Sequence, residues 1–311
     1  MQFMNPGISV IVPHFNSEHI RELVEEVEIS LEDKFDFEII IVDDSNSSLS
    51  WSNLKKIYDF HERVKCIELT KNYGQHNAIL AGIEMAKHEL IVTIDDDLQI
   101  LPVEILAIYN HLSTYNLDLV YGAPRVSRHG KSRKFSSKIL KLILRKVLRV
   151  QTVEGINSFR IFKKSLIINF VSNSTGDVSI DALLFWNTSN FDSIHVEHNS
   201  RKLGNSSYTF KKLLNLAIET LIGYSTLPLR ISTVVGLSLS LVGLILLGVT
   251  LIQYFIHGIQ IEGFTTIITL ITIFSGAQFL TLGVIGEYIR KIHTNSMRKP
   301  TFVVRSRLSR D

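Results

Sequence analysis

Near its carboxyl end the chain carries two long stretches without a single charge, 26 residues from Ile231 to Ile256 and 23 from Phe264 to Gly286. As helices they would measure roughly 39 and 35 Å at 1.5 Å per residue, longer than a bilayer hydrocarbon core of about 30 Å. A pair of buried core helices is the plainer alternative, but soluble helices of that length keep a polar face. The pattern predicts a two-helix transmembrane hairpin over 231–287. Arg230 precedes it, Arg290, Lys291, Arg298 and Lys299 follow it, and the loop His257 to Gly263 holds Glu262 and no Lys or Arg. The positive-inside rule then puts both termini in the cytoplasm. The first strand-like run begins at Ile8 with no apolar leader before it, so the expectation is a cytoplasmic domain held on the inner (plasma) membrane.

Composition narrows the rest. Of 311 residues, 45% are hydrophobic and 20% charged, a balance that excludes intrinsic disorder, collagen and a small disulfide scaffold. The lone cysteine, Cys66, rules out an intramolecular disulfide and a cysteine-based metal site, and fits a reducing compartment. A net charge of +3 is too weak to argue for nucleic acid, and seven of the Lys/Arg side chains lie in 288–311. Such a basic tail suits anionic lipid better than a DNA groove. A second membrane signal lies in 131–149. Lys134, Lys138, Lys141, Arg145 and Arg149 recur at helical spacing opposite Leu140, Ile143, Leu144, Val147 and Leu148, and no acid occurs between Asp118 and Glu154. That is the pattern of a basic interfacial helix, or of a plain surface helix; 211–230 is a similar candidate.

The first 125 residues alternate. β-Branched runs occur at Ile8–Val12, Glu38–Val42, Val64–Leu69, Leu90–Ile94 and Asp118–Tyr121, with helix-like stretches near 18–32, 52–62, 76–87 and 102–115. This pitch predicts an α/β domain with a mainly parallel sheet and helices on both faces. Ligands of such sheets bind at the carboxyl ends of the strands, and polar chemistry collects there: Pro13-His14-Phe15-Asn16, Asp43-Asp44-Ser45 and Asp95-Asp96-Asp97-Leu98-Gln99. Taken singly, an Asp-Asp after a strand reads as a turn or helix cap. Converging on one rim, the carboxylates would repel one another unless a divalent cation joined them, and oxygen ligands suit Mg²⁺ or Mn²⁺. A phosphate-cradling P-loop and a G-x-G-x-x-G fingerprint are both absent from the sequence, which removes the main support for an NTPase or a dinucleotide dehydrogenase.

Together with Asn72-Tyr73-Gly74-Gln75-His76, these runs resemble glycosyltransferase family two, and within it the polyprenyl-phosphate glycosyltransferases. Lys71 to Gly82, Gly204 to Phe210, Thr226 to Arg230, Gly276 to Phe279 and Gly286 to Tyr288 extend the likeness over nearly the whole chain. The resemblance implies a GT-A (Rossmann-like) catalytic domain over 1–210, a nucleotide-sugar donor, a polyprenyl phosphate acceptor and a homotetramer. By matching position it implies that Asp95, Asp97 and Gln99 hold the metal and the donor diphosphate, and that Pro13, Asn16, Asp43, Asp44 and Asn72 line the nucleotide pocket. It likewise implies that Arg125, Arg133 and Ser137 meet the acceptor phosphate, and that Arg201 and Ser206 close over the diphosphates.

The chain departs from the family pattern in places. Ser17 stands where Glu is usual, with Glu18 next; Ser207 replaces a common Lys; Ile100-Leu101 replaces a more polar pair. An acidic residue proposed as base in relatives precedes a Phe-Arg pair. Here the nearest carboxylate before Phe159-Arg160 is Glu154. A lipid phosphomonoester, with a second pKa of about 6, is already largely dianionic at neutral pH and needs little general-base help. The expected reaction is a single in-line displacement with inversion, Arg133 and Arg201 offsetting anion repulsion and Glu154 orienting rather than abstracting. The rivals are a family-two transferase acting on a sugar hydroxyl, and a catalytically silent membrane scaffold that keeps the nucleotide pocket.

Overall fold

The computed structural model describes residues 6–124, 156–171, 179–198, 226–257, 263–297 and 299–310. The chain divides into two compact units, Met1–Ser207 with Arg298–Asp311, and Tyr208–Met297.

The first unit is built on an eight-stranded sheet: β1 (Ile8–His14), β2 (Phe37–Asp43), β3 (Val64–Leu69), β4 (Leu90–Thr93), β5 (Leu119–Pro124), β6 (Arg160–Lys163), β7 (Phe191–Val196) and β8 (Val304–Leu308). Their order is β7-β5-β6-β4-β1-β2-β3-β8. β6 is antiparallel to β4 and β5, and β8 to β3; the remaining neighbours run parallel. Among the described residues of this unit the α-helices are α1 (Ile20–Leu31), α2 (Ser48–Phe60), α3 (Gln75–Met85), α4 (Glu104–Thr114), α5 (Ile168–Val171) and α6 (Ile180–Asn187).

Central strands covered on both faces need apolar side chains at every position, which is why β1 to β4 read as continuous Val/Ile runs. One face packs α1, α2 and α4 on Val10, Val12, Ile39 and Ile41. The other packs α3 and α6 on Ile11, Ile40, Val42 and Ile67. α3 approaches closely through Gly82, where a Cβ would stand 2.5 Å from Ile11 Cγ2. Cys66 is buried, and burial pushes its thiol up to about 12, so it serves packing rather than redox chemistry.

The mainly parallel sheet expected from the alternation is present, with all five expected strands and all four expected helices. β6, α5, α6, β7 and β8 were not expected. β6, α6 and β7 are short and follow a sequence without clean alternation, and β8 lies in the stretch read as a basic tail. Residues 288–311 divide between the end of a long helix and strand β8. Arg305 and Arg307 of that strand meet Glu68 and Glu84, and Arg310 meets the carbonyls of Tyr58 and His61.

The second unit contains α7 (Leu227–His257) and α8 (Phe264–Ser296). They touch at Gly243, where a Cβ would lie 3.3 Å from Phe274 Cζ. Among the described residues one segment, Pro228–Leu246, is long and apolar enough to cross a membrane, with mean hydropathy 2.0 and 6% of it buried. The second charge-free stretch is helical too, and its helix runs on to Ser296, where Glu287 and Arg290 pair at 2.7 Å. The interfacial candidate 131–149 and most of 211–230 lie outside the described residues.

Candidate active site

β1 lies between β2 and β4, so the connections leave it in opposite directions and open a crevice at its carboxyl end. His14, at the end of β1, is 3% exposed, and its Nδ1 lies 2.7 Å from Asp96 Oδ2 in the loop after β4. A carboxylate only accepts, so Nδ1 is the donor. The Phe15 N–H reaches the same oxygen at 3.3 Å, and the Ser17 hydroxyl donates to the Asp96 carbonyl at 2.6 Å. Ser17 thus ties the two loops together.

With Asp96 held in this way, Asp95 and Asp97 line the crevice on either side of it. A cleft of about 340 Å³ is lined by Pro13, Asp44, Asn72, Gln75, Asp95 and Asp97, among others. A neighbouring cavity of about 280 Å³ shares Asp95 and Asp97 and adds Gln99, Asn157, Ser158 and His198. Asp95 accepts from Gln75 Nε2 at 2.6 Å through Oδ1 and from the Ser158 hydroxyl through Oδ2. Burial pushes the Asp95 carboxyl above the usual carboxylate range; the Ser158 hydroxyl opposes this, and the charges of Asp97 and Asp96 add to it. Gln99 folds back onto Asp97 with both its backbone N–H and its amide nitrogen, across Leu98 at φ 53.

The opposite wall comes from the paired aspartates after β2. Asp43 Oδ1 takes the N–H and hydroxyl of Ser45 at 3.0 and 2.6 Å, and its Oδ2 takes the Ser50 hydroxyl at 2.9 Å. Both of its oxygens build the turn into α2, and the side chain is 1% exposed. Asp44 is the member of the pair that reaches the cleft. Its two oxygens accept from Tyr73 N at 2.6 Å and Gly74 N at 2.8 Å, and burial still pushes its carboxyl up despite these donors. Gly74 takes φ 85 there, a left-handed conformation that suits glycine at the start of α3. Asn16 is not among the residues lining this cleft; it lines a cavity of about 680 Å³ along α1 and α2 that shares His14 with the cleft.

Behind the site sits a buried charge that the sequence did not mark. Arg160 is 1% exposed and pairs with Asp181 in the first turn of α6, and Asp181 also accepts from the Tyr121 hydroxyl at 2.8 Å. Three residues of the site itself were also missed. Asp96 stands between two residues given roles by the resemblance and has none there itself, Ser158 occupies the position before Phe159-Arg160, and His198 follows a strand the pattern does not reveal. Arg125, Arg133, Ser137, Glu154, Arg201 and Ser206 lie outside the described residues.

The donor set at Asp95, Asp97 and Gln99 is all oxygen, which fits a hard divalent cation such as Mg²⁺ or Mn²⁺. Burial is the main cause that raises Asp95, and the charges of Asp97 and Asp96 that add to it are what a cation would offset. Among the described residues no three His, Cys, Asp or Glu side chains are grouped to hold a metal.

Comparison with known proteins agrees with this architecture. The model of the family described as "Glycosyl transferase family 2" matches residues 9–171. The undecaprenyl-phosphate 4-deoxy-4-formamido-L-arabinose transferase of Photorhabdus laumondii is 30% identical over 303 residues, 96% of this chain and 93% of that protein. Its namesake from Pectobacterium atrosepticum is 30% identical over 311 residues, 97% and 94% of the two chains. Among solved structures, glucosyl-3-phosphoglycerate synthase from Mycobacterium tuberculosis, in complex with Mn²⁺, UDP and glucosyl-3-phosphoglycerate, superposes with a TM-score of 0.51 at 16% identity. That match covers 70% of this chain and 80% of the other, a likeness of fold. With its sheet, its crevice and the family's motifs in register, the chain belongs to glycosyltransferase family 2.

Proposed function

We propose that the protein transfers a sugar from a nucleotide-sugar, with UDP the favoured carrier, to a polyprenyl phosphate at the cytoplasmic face of the membrane. The product would be a polyprenyl-monophosphate-sugar for modification of a cell-envelope glycan such as lipopolysaccharide or O-antigen. One observation carries the reading: Asp44 and Asn72 on one side and Asp95 and Asp97 on the other face a single cleft at the topological switch point. The undecaprenyl-phosphate transferases that match nearly the whole chain support the acceptor, and the UDP and Mn²⁺ named for the structural neighbour support the donor and metal.

In this reading Pro13, Asp44 and Asn72 receive the nucleoside, and Asp95, Asp97 and Gln99 hold a divalent cation, which supplies charge neutralisation for the departing diphosphate. The acceptor phosphate, about dianionic at neutral pH, attacks the anomeric carbon through one oxygen as the bond to the nucleoside diphosphate breaks, inverting the configuration. Arg125, Arg133 and Ser137 receive that phosphate, and Arg201 and Ser206 close over the donor. Glu154 orients. A hairpin of α7 and α8, with both termini cytoplasmic, would hold the protein on the membrane that contains the polyprenyl phosphate. Assembly as a homotetramer completes the proposal.

The decisive experiment incubates the purified protein in detergent with undecaprenyl phosphate, Mg²⁺ or Mn²⁺ and a panel of UDP- and GDP-sugars, and examines the organic phase by mass spectrometry. A metal-dependent glycosyl-phosphate lipid is the expected product, and its mass gives the sugar class. No product from any donor, with nucleotide binding demonstrated, would overturn the reading in favour of a hydroxyl acceptor or a silent scaffold.

A further inference from the structure

Strand β8 does more than cover a sheet edge. It pairs antiparallel with β3, and its register shifts between Glu68 and Leu69: Glu68 faces Ser306, Leu69 faces Val304, and Arg305 is the extra residue. Irregularities of this kind re-aim a side chain. Here the guanidinium of Arg305 donates through Nη1 to Glu68 Oε1 at 2.9 Å, and through Nη2 to Asn46 Oδ1 at 2.8 Å and to the Thr70 carbonyl at 2.9 Å. Glu68 is 6% exposed, so the charge pair is shielded from water on the carboxylate side.

Glu68 belongs to β3, and the other two acceptors lie in the two loops that lead to the candidate donor cleft. Asn46 lies two residues beyond Asp44, at φ 53 in the loop leaving β2. Thr70 opens the loop after β3, its hydroxyl 2.9 Å from that of Tyr73, whose backbone N–H is held by Asp44. These are the two loops that carry Asp44 and Asn72 to the cleft. A planar fork can serve acceptors on both at once, which a lysine's single ammonium on a flexible stem does poorly.

We infer that Arg305 is a positioning residue for the nucleotide end of the donor site, so that the segment following α7 and α8 in the chain completes that site. This rests on the nucleotide-sugar reading above. The same strand supplies internal controls. Arg307 donates to Glu84 at 3.0 Å, near the far end of α3, and Arg310 binds carbonyls at the α2–β3 corner; neither touches the two loops. Were β8 merely an edge cover, all three arginines would contribute stability and none would affect the donor selectively.

The test uses the full chain in detergent and measures UDP and GDP affinity by titration calorimetry, donor KM and kcat, and Tm. Arg305→Ala is expected to weaken UDP binding and raise donor KM about tenfold, with kcat and acceptor KM within about twofold. Arg305→Lys should recover part of that loss. Arg307→Ala should lower Tm comparably and leave donor KM within about twofold. Asn46→Gly keeps the left-handed backbone, removes one acceptor from the loop side and leaves β8 untouched; it should raise donor KM about threefold, and it decides the matter if Arg305→Ala does not fold. The inference is overturned if these two variants lower Tm or kcat with donor KM unchanged. Wild-type protein that binds neither UDP nor GDP would instead remove the donor reading, and this inference with it.

Discussion

His14 Nδ1 and Asp96 Oδ2, 82 residues apart in sequence, meet at 2.7 Å across the switch point of the sheet. The pair joins the loop after β1 to the loop after β4 and lines the cleft together with Asp95 and Asp97. Its loss strands a buried imidazole N–H, a cost of about 2 kcal/mol, and frees the loop that carries the proposed metal ligands. Asp96→Ala and His14→Ala should each lower kcat/KM about tenfold to a hundredfold. The double variant should be little worse than either, giving a coupling of about 1.4–2.7 kcal/mol, the size of one single loss. Losses that simply add would show that the two side chains act separately.

Asp97 and Glu154 separate the lipid-phosphate acceptor from a sugar hydroxyl. Asp97→Asn should bring metal-dependent transfer to background while the protein stays folded and membrane-bound. Glu154→Gln should keep activity within about tenfold of wild type, because a phosphate oxygen needs no proton removed. A true general base contributes about a hundredfold to ten-thousandfold. A drop of that size in Glu154→Gln, measured beside unchanged donor binding, would make the acceptor a hydroxyl.

Asp44 gives each of its oxygens to one backbone N–H, of Tyr73 and of Gly74. Asparagine offers one acceptor and turns an NH₂ toward the other donor, so about one charge-assisted hydrogen bond is lost, roughly 1.5–3 kcal/mol. Asp44→Asn should therefore weaken UDP binding at least about tenfold, read by titration. Asp43→Asn disturbs the turn into α2 instead, and its first effect should be a lower Tm. Unchanged UDP affinity in Asp44→Asn would mean that the loop does not depend on this carboxylate.

The central strands were legible because burial on both faces leaves them no polar positions to confuse the pattern, and the acidic clusters were legible because they interrupt it. Division of labour within those clusters was not. Asp43 and Asp44 are identical in sequence, yet one builds a turn and the other a cleft wall, a distinction set by whether Ser45 and Ser50 lie within reach. Asp96 faces His14, Asp95 faces Gln75 and Ser158, and Asp97 faces Gln99. Buried charges were equally hidden. Arg160 lies in a short apolar run, and its partner Asp181 comes from a helix 20 residues later, so only the tertiary fold shows that the ion is paired. β8 was missed for a related reason: Arg305 and Arg307 look like solvated tail charges until Glu68 and Glu84 are brought opposite them.

Asp118 links the outer strands, and its acid dependence can be worked out. Its Oδ1 accepts from Lys163 Nζ at 2.6 Å and its Oδ2 from the Thr188 hydroxyl at 2.9 Å, joining the start of β5 to the end of β6 and to the turn before β7. The Lys163 hydrogen bond holds the Asp118 carboxyl below its usual range against the opposing effect of burial, and Thr188 adds to the lowering. A carboxyl depressed in the folded state contributes stability that is fully present above its unfolded value of about 3.9. That contribution is lost as pH falls through the lower folded value. Asp118→Asn should therefore be less stable than wild type by about 1 kcal/mol at neutral pH, the pair being partly exposed. The gap should hold down to about pH 5 and close below about pH 4, followed by thermal or denaturant unfolding with the fluorescence of buried Trp51. A gap that stays constant or widens on acidification would show that the Asp118 carboxylate contributes nothing through its charge.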